Sequence, residues 1–303
     1  MLSETITAAA AGTWKLGDRE VNRLGFGTMR LTGNGMRGNS DGAPIDRDLA
    51  IRLLRRAVDL GVNHLDTAAF YFSPLRSANE LINRALAPYP DDLVIVTKVG
   101  PGRGPSGEWL PPATPEQLRG QVEENLRQLG RDHLDVVNLR RTNQDSIAEH
   151  FGALAELRDA GLIRHLGISS VKPEHLAEAQ NIAPVVCVQN TYGLDRRLAD
   201  ANGLLDSCGE QGIAFVPYFA ISGDRGEAGA SETHEDEVLA VARAHGATPA
   251  QVRLAWTLHR GPHVLAIPGT GNPDHLIENV TGGALRLSQD ELTRLRSLHQ
   301  RRA

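Results

Sequence analysis

Leu93-Val-Ile-Val-Thr-Lys98 and Leu134-Asp-Val-Val-Asn-Leu-Arg140 are two short apolar runs, and each ends in a basic residue. Between them, apolar residues recur at the spacing of one helical face, at Leu118, Val122, Leu126 and Leu129. A strand, a helix and a second strand in this order predict two parallel neighbours joined by a right-handed crossover. The same alternation continues on both sides of this segment, which therefore sets the expected fold.

Eight strand-like runs alternate with helical segments along the chain, at Leu24–Gly27, His64–Thr67, Leu93–Lys98, Leu134–Arg140, His165–Ser169, Val185–Gln189, Ala214–Tyr218 and Val264–Pro268. Eight strands in this alternation predict a closed (β/α)8 barrel of the TIM type, which is an α/β fold. The rival architecture is a doubly wound open sheet, which would carry a G-x-G-x-x-G turn after its first strand. The segment Leu24-Gly-Phe-Gly-Thr-Met29 lacks that spacing.

Smaller features complete the expected architecture. Trp14–Leu16 and Glu20–Val21, on either side of a Gly-Asp pair, predict a short N-terminal β-hairpin ahead of the barrel. No domain boundary or internal repeat is visible, so we expect a single barrel domain over residues 1–303. Two glycine- and proline-rich stretches, Gly33–Pro44 and Gly100–Pro112, follow the first and third strands and are expected to cover the active-site face. Helices are expected to end at Gly61, Gly130, Gly161 and Gly212.

The composition argues against several function classes. A formal net charge of −5 disfavours nucleic acid and anionic membranes as partners, because both require a basic surface. Cys187 and Cys208 are too few for a disulfide framework or a zinc-binding quartet, and the histidines show no metal-ligand spacing, so no metal site is expected. No apolar run approaches the ~20 residues of a membrane span, and Met1–Gly12 lacks the basic residues of a signal peptide. These observations predict a cytoplasmic protein.

Four residues whose side chains can take part in catalysis follow the strand-like runs: Asp66, Tyr71, Lys98 and Arg140. Because the carboxyl ends of parallel strands share one rim of a barrel, their side chains are expected to converge there. A phenol can donate a proton to a carbonyl oxygen, and Lys98, held charged by Asp66, is expected to lower the pKa of the phenol from ~10. The residues therefore predict a carbonyl-reducing enzyme with Tyr71 as general acid. The purely structural interpretation is an ion pair at the barrel rim beside a tyrosine that only packs.

Several stretches together resemble the aldo-keto reductase family over nearly the whole chain. They are Leu24-Gly-Phe-Gly-Thr-Met29, Leu65-Asp-Thr-Ala-Ala-Phe-Tyr71, Val96-Thr-Lys98, Gly167-Ile-Ser-Ser170, Val188-Gln-Asn190, and Ile267-Pro-Gly-Thr270 through Glu278-Asn279. The resemblance implies a barrel enzyme that uses Asp66, Tyr71 and Lys98 in catalysis. The sequence departs from the family pattern at Arg140, where a histidine is usual.

The resemblance also implies a nicotinamide cofactor, with contacts at Gly27, Thr28, Met29, Ser169, Ser170, Gln189, Tyr218, Phe219, Ile267, Gly269, Thr270, Asn272, His275, Glu278 and Asn279. In relatives the residues at the ends of strands 5 and 6 hold the nicotinamide carboxamide, and here Ser170 replaces the usual asparagine. Tyr218 corresponds to the aromatic residue that stacks on the nicotinamide ring. The loop Phe219–Glu227 is expected to cover the pyrophosphate.

The choice between NADP(H) and NAD(H) depends on the last strand and the helix after it. That helix begins near Asn272-Pro273, and a helix N-terminus favours an anion such as a 2′-phosphate. Many relatives place a lysine or arginine near this phosphate, whereas the local cation here is at best His275. The resemblance favours NADP(H), and NAD(H) stays open.

Arg140 bears on the substrate. Asp135-Val-Val-Asn-Leu-Arg140 and Trp109-Leu-Pro111 are similar to the pyridoxal-reducing members of the family. Arginine is permanently charged and presents a planar fork of donors. It would therefore favour a substrate such as pyridoxal, whose ring hydroxyl lies next to the aldehyde and ionises readily, and the expected product is pyridoxine. The opposing interpretation places Arg140 on the outer surface, with Arg141 or neither arginine pointing inward.

The sequence leaves the role of Trp109 and the substrate class open. Trp109 is expected either to stack on an aromatic substrate or only to pin its own loop. The substrate class is a small aldehyde or ketone, and a sugar or secondary-metabolite carbonyl is the main rival to pyridoxal. A regulatory subunit that binds the cofactor without catalysis is the non-enzymatic possibility, against which the presence of Asp66, Tyr71 and Lys98 argues.

Overall fold

A computed structural model describes residues 6–33, 44–221 and 236–300, with side chains up to residue 297. Its strands are β1 (Thr13–Leu16), β2 (Arg19–Asn22), β3 (Phe26–Gly27), β4 (His64–Asp66), β5 (Phe72–Ser73), β6 (Arg76–Ser77), β7 (Val94–Val99), β8 (Leu134–Arg140), β9 (Ile163–Ser169), β10 (Val185–Gln189) and β11 (Ala214–Phe215). Its α-helices are α1 (Arg47–Asp59), α2 (Ala78–Leu86), α3 (Leu118–Leu129), α4 (Ala148–Asp159), α5 (Pro173–Gln180), α6 (Leu198–Ala201), α7 (Leu204–Glu210), α8 (Asp236–His245), α9 (Pro249–Leu258), α10 (Pro273–Gly282) and α11 (Gln289–Gln300). Short 3₁₀ helices cover Ala8–Ala11, Met29–Thr32 and Pro115–Gln117.

Seven parallel strands form one curved sheet in the order β11, β10, β9, β8, β7, β4, β3. The predicted eighth strand, Val264–Pro268, lies between the two edges of this sheet. Val264 bridges to Phe215 on one side and Ala266 bridges to Leu24 on the other. Backbone hydrogen bonds of 2.9 Å, from Leu265 N to Phe215 O and from Ala266 N to the carbonyl oxygen of residue 23, close the ring. The expected (β/α)8 barrel is confirmed, with isolated bridges in place of a regular eighth strand.

The closure needs glycine at two facing positions. A Cβ atom on Gly27 would lie 2.7 Å from the carbonyl oxygen of Ile267, and one on Gly269 would lie 2.4 Å from the carbonyl oxygen of Gly27. Both distances are too short for any side chain without backbone movement. The first and last barrel strands therefore approach each other at the rim where the site residues lie.

The barrel interior is filled by side chains on alternate positions of the strands. They form one apolar cluster of Val94, Val96, Val136, Cys187, Ala214, Val216, Leu265 and Ile267, joined by Leu16 and Val21 from the N-terminal hairpin. The hairpin thus covers the amino-terminal end of the barrel. The larger core lies outside the sheet, between the strands and the surrounding helices.

The turn of the hairpin packs against strand β9. Gly17 has a φ of 68°, and a Cβ atom there would lie 2.4 Å from His165 Cδ2. His165 Nε2 and Asp18 Oδ1 are 2.6 Å apart, and Arg164 donates to the other Asp18 oxygen at 2.7 Å. The His165 hydrogen bond, with the nearby arginine, lowers the pKa of Asp18 despite some desolvation. The predicted hairpin is confirmed and is slightly longer than expected.

Most predicted strand boundaries lie within two residues of the observed ones, and the largest difference is in the seventh barrel strand. Gly61, Gly130, Gly161 and Gly212 all adopt positive φ at or just past helix ends, as expected, with φ values of 83°, 63°, 82° and 70°. The seventh barrel strand was predicted to reach Tyr218, but β11 ends at Phe215. Pro217 has no amide hydrogen to continue the ladder, which explains the early end. Tyr218 instead makes an isolated bridge to Thr191.

Two predicted loops fall partly or wholly outside the described residues. Residues 34–43 of the stretch Gly33–Pro44 lie outside them, as do residues 222–227 of the loop Phe219–Glu227. Gly100–Pro112 is described and packs over the site. No helix in the described parts of the chain has both the length and the apolar character to cross a membrane.

The hairpin turn yields a stability prediction. Gly17→Ala forces a side chain into a left-handed backbone and against His165, so it should lower the free energy of unfolding by more than the ~1–2 kcal/mol of the backbone term alone. Gly212→Ala is the matched control, because Gly212 has a φ of 70° and no atom within 4 Å of the added Cβ. Denaturant unfolding measures both. Equal losses of unfolding free energy in the two variants would contradict the packing of the turn against β9.

Candidate active site

The barrel register brings three of the four predicted catalytic residues onto adjacent strands. Asp66 on β4 pairs with Val96 on β7, while Lys98, two residues further along β7, pairs with Asn138 on β8. Arg140 ends β8 beside Ser169 on β9. Since alternate residues of a strand share a face, these side chains point into the same end of the barrel.

Tyr71 reaches the same place from the turn after β4. Its amide donates to Ala68 O at 3.0 Å, and its carbonyl accepts from Ala78 N at 2.9 Å. The ring packs against Phe70 with centroids 5.2 Å apart. Two backbone hydrogen bonds and one aromatic contact therefore fix the position of the phenol.

Asp66 and Lys98 form a buried ion pair. Lys98 Nζ donates to Asp66 Oδ1 at 2.7 Å, and the side chains are only 2% and 6% exposed for lysine and aspartate. A second hydrogen bond of 2.9 Å runs from Lys98 Nζ to Thr67 O. Burial by itself lowers the pKa of Lys98, but Asp66 and Tyr71 outweigh it, and the pKa of Lys98 is raised. Lys98 is therefore a fixed positive charge.

The Lys98 ammonium lies 4.9 Å from the centroid of the Tyr71 ring. Burial raises the pKa of Tyr71, the charges of Lys98 and Arg140 lower it, and Asp66 raises it, with a net shift above the ordinary value of 10.0. The expected lowering by Lys98 is present, but the expected net decrease is wrong because desolvation of the phenol is the larger effect. Tyr71 is therefore protonated at neutral pH and available as a proton donor.

Arg140 faces the site rather than the outer surface. Its guanidinium carbon lies 5.7 Å from the centroid of the Tyr218 ring, and its charge acts on Tyr71. Arg141, in contrast, donates from Nε to Gln144 O at 2.6 Å. The interpretation that places Arg140 outside the barrel is therefore wrong. The site combines one phenol, one ammonium and one guanidinium.

The second oxygen of Asp66 is also occupied. Gln189 Nε2 donates to Asp66 Oδ2 at 2.7 Å, and Asn138 Nδ2 donates to Gln189 Oε1 at 3.2 Å. The thiol of Cys187 donates to Asn138 Oδ1 at 3.1 Å. Sequence reasoning missed Asn138, although a polar residue between Val136-Val137 and Leu139, at an inward position of the strand, was a usable signal.

The residues predicted to bind the nicotinamide end of the cofactor lie around this network. Ser169 Oγ is buried and has no hydrogen-bond partner, whereas Ser170 Oγ lies 3.2 Å from the Tyr218 hydroxyl. Ser170 and Phe219 are the two described non-glycine residues with positive φ, at 61° and 66°. Such strain is common at ligand sites. The structure thus leaves a buried hydroxyl and two strained residues at the strand ends where the resemblance places the nicotinamide.

The remaining predicted cofactor residues form two groups. Thr28 is tied to Asp66 O through both its amide and its hydroxyl, at 2.9 and 3.0 Å, and Met29 packs against the small apolar cluster that includes Tyr71. Gly27, Ile267 and Gly269 lie at the barrel closure described above. All of these line the rim next to the ion pair.

The second group surrounds the start of helix α10. Thr270 Oγ1 accepts from Asn272 N at 3.0 Å, and Asn272 Oδ1 caps the helix by accepting from Asp274 N at 2.9 Å. His275 is exposed in the first turn. Glu278 accepts a short hydrogen bond from the Thr248 hydroxyl. Asn279 Nδ2 is buried without a partner, a second unsatisfied polar group at the predicted cofactor positions.

Trp109 contacts protein groups of its own loop and its neighbours. It is 41% exposed, its ring centroid lies 5.9 Å from that of Phe70, and the guanidinium carbon of Arg103 lies 5.5 Å from it. Arg103 also donates to Phe72 O at 3.0 Å. These contacts tie the loop to the segment that carries Tyr71, and they support the loop-pinning role that the sequence left open. A groove of about 1020 Å³ reaches from this loop to Lys98.

Comparison with known proteins places this geometry in a family. A model described as the aldo/keto reductase family matches residues 23–300. The chain belongs to the aldo/keto reductase family. It is 44% identical over 293 residues to the pyridoxine 4-dehydrogenase of Escherichia coli (strain K12), covering 94% of this chain and 98% of that protein. This membership makes the chain an oxidoreductase of an NAD(P)H-dependent family.

Solved aldo-keto reductases have the same architecture. A thermostable aldo-keto reductase in complex with epalrestat is 31% identical, with a TM-score of 0.79 over 94% of this chain and 99% of that chain. An aldo-keto reductase from Klebsiella pneumoniae in complex with NADPH is 26% identical, with a TM-score of 0.77 over 95% and 94%. The family match begins at residue 23, so the hairpin of β1 and β2 precedes it. Among the described residues, no group of three or more His, Cys, Asp or Glu side chains is placed to hold a metal ion.

The electrostatics of Tyr71 yield a titration prediction. Burial should move its ionisation above 10.0, and Arg140→Gln should move it higher still, because a charge that favours the phenolate is removed. Ultraviolet absorbance of tyrosinate measures this transition, with Tyr71→Phe as the subtraction control. A Tyr71 that ionises below 10.0 would contradict the dominance of burial.

Proposed function

We propose that this protein is an NADPH-dependent pyridoxal reductase that forms pyridoxine. The observation that carries the proposal is that Arg140 lies over the Tyr218 ring and its charge acts on Tyr71, at the barrel rim that also holds the buried Asp66–Lys98 pair. The 44% identity to pyridoxine 4-dehydrogenase of Escherichia coli (strain K12) supports the same substrate class.

The chemistry assigned to the chain is proton donation to a carbonyl oxygen. NADPH, when bound, supplies the hydride to the carbonyl carbon. Negative charge then develops on the oxygen, and the protonated Tyr71 hydroxyl is the donor that meets it. After donating its proton Tyr71 is a phenolate. Lys98 and Arg140 stabilise this anion, since both charges lower the pKa of Tyr71. Asp66 keeps Lys98 charged and oriented.

Arg140 is proposed to select the substrate. Pyridoxal carries an ionisable ring hydroxyl next to its aldehyde, so a cation near Tyr71 can bind that oxygen while the aldehyde faces the phenol. A guanidinium suits this role because its charge is permanent and its donors form a planar fork. Its guanidinium lies over the Tyr218 ring at the rim.

The cofactor assignment is supported by chemistry of the chain itself. Ser169 Oγ and Asn279 Nδ2 are buried polar atoms without partners at two separated cofactor positions. A hydroxyl suits a carboxamide, and a side-chain amide suits an adenine edge. The capped start of α10 suits a phosphate through its free amides and dipole. The Klebsiella pneumoniae relative was solved with NADPH, which favours NADPH over NADH here.

The test is NADPH oxidation with pyridoxal, benzaldehyde and an aliphatic aldehyde as substrates. We expect kcat/KM to be highest for pyridoxal and to fall about 10²–10⁴-fold in Tyr71→Phe, which lacks the proton donor. Equal turnover of all three aldehydes would leave a reductase but remove the pyridoxal assignment. Tight NADPH binding without turnover of any aldehyde would overturn the proposal in favour of a non-catalytic protein.

The same assay includes two arginine variants. Arg140→Gln should reduce the preference for pyridoxal over benzaldehyde by about 10–100-fold, the value of one charge-assisted hydrogen bond. Arg141→Gln is the matched control and should keep the wild-type preference, because Arg141 binds Gln144 O. An unchanged preference in Arg140→Gln, or in the Arg140→His variant that restores the usual family residue, would refute the pairing.

A further inference from the structure

Three polar side chains lie beneath the ion pair. Gln189 is a predicted contact of the nicotinamide cofactor, whereas Asn138 and Cys187 have no assigned role. Asn138, Gln189 and Cys187 are fully buried inside the barrel, where the layers below are apolar. Their hydrogen bonds form a chain that ends on Asp66 Oδ2. Polar groups in such a position are costly unless every partner is satisfied.

Chemistry fixes the direction of this chain. A carboxylate only accepts hydrogen bonds, so Gln189 must turn its NH2 group to Asp66 and its carbonyl oxygen away. That oxygen needs a donor, which Asn138 Nδ2 supplies at 3.2 Å. Asn138 Oδ1 then needs a donor in turn, and the Cys187 thiol supplies one at 3.1 Å. Burial raises the pKa of Cys187 to about 12, so the thiol keeps its proton.

We propose that Asn138 is a positioning residue that acts through Gln189 to hold Asp66, and with it Lys98, in the orientation that Tyr71 requires. Without Asn138, the Gln189 amide can rotate and turn its carbonyl oxygen toward the Asp66 carboxylate. Asp66 Oδ2 then loses its hydrogen-bond donor, and the carboxylate is held only through Oδ1, by Lys98. The side-chain hydrogen bonds of Asn138 run to Gln189 and Cys187, so its effect on the reaction is indirect.

The test is a double-mutant cycle of Asn138→Leu and Gln189→Met in the full-length protein. This kinetic arm rests on the proposed reduction, with pyridoxal and NADPH as reactants. Asn138→Leu should lower kcat about 3–10-fold, the value of one neutral hydrogen bond, and leave the KM for pyridoxal within about twofold. Because Asn138 acts through Gln189, the double variant should have the kcat of Gln189→Met alone.

Val136→Ala is the matched control, since Val136 is equally buried on the same strand and makes no side-chain hydrogen bond. It should lower the unfolding midpoint without changing the pH profile of kcat. An additive loss in the double variant, or an unchanged kcat in folded Asn138→Leu, would overturn the proposal.

A second readout is independent of turnover and separates this inference from the proposed function. The tyrosinate transition of Tyr71 should move to higher pH in Asn138→Leu, because a less firmly held Lys98 favours the phenolate less. It should not move in Val136→Ala. A shift confined to Asn138→Leu in a protein that reduces no aldehyde would support the positioning role and reject only the substrate. An unmoved transition would reject the positioning role.

Discussion

The buried ion pair between Asp66 and Lys98 is the contact on which the rest of the site depends. Removing two charges from water costs several kcal/mol for each ion, and their attraction repays this only with good geometry and further hydrogen bonds. Here Thr67 O accepts from Lys98, and Gln189 donates to Asp66. A buried pair is weak evidence for stability, so its role is better sought in the electrostatics that act on Tyr71.

The barrel supplies the surroundings that such a pair needs. Its interior below the site is apolar, and the N-terminal hairpin closes the lower end, so the charges interact in a medium that screens them little. On the outer face of the strands, Thr67 donates to Asn79 at 2.7 Å, and Thr97 donates to Asn125 at 2.6 Å. The residues flanking Asp66 and Lys98 are thus tied on the helix side as well, which limits movement of the pair.

Strand positions and the residues that meet at the barrel rim were predictable because they depend on local patterns. Apolar runs that end in Asp66, Lys98 and Arg140 located the rim, and the hairpin followed from its Gly-Asp turn. Properties that depend on three-dimensional surroundings were not predictable. The net rise in the pKa of Tyr71 depends on how deeply the phenol is buried, and the contact between Asn138 and Gln189 joins residues 51 positions apart.

The measurement that tests the central claim is pyridoxal turnover by the double variant Asp66→Asn/Lys98→Met, together with its free energy of unfolding. Replacing both charges removes the desolvation cost along with the attraction, so the variant should be about as stable as the wild type or more stable. Its kcat should nevertheless fall about 10²–10⁴-fold, since Tyr71 loses the charge that assists proton donation. A folded double variant with wild-type turnover would contradict the claim that the pair serves the chemistry of Tyr71.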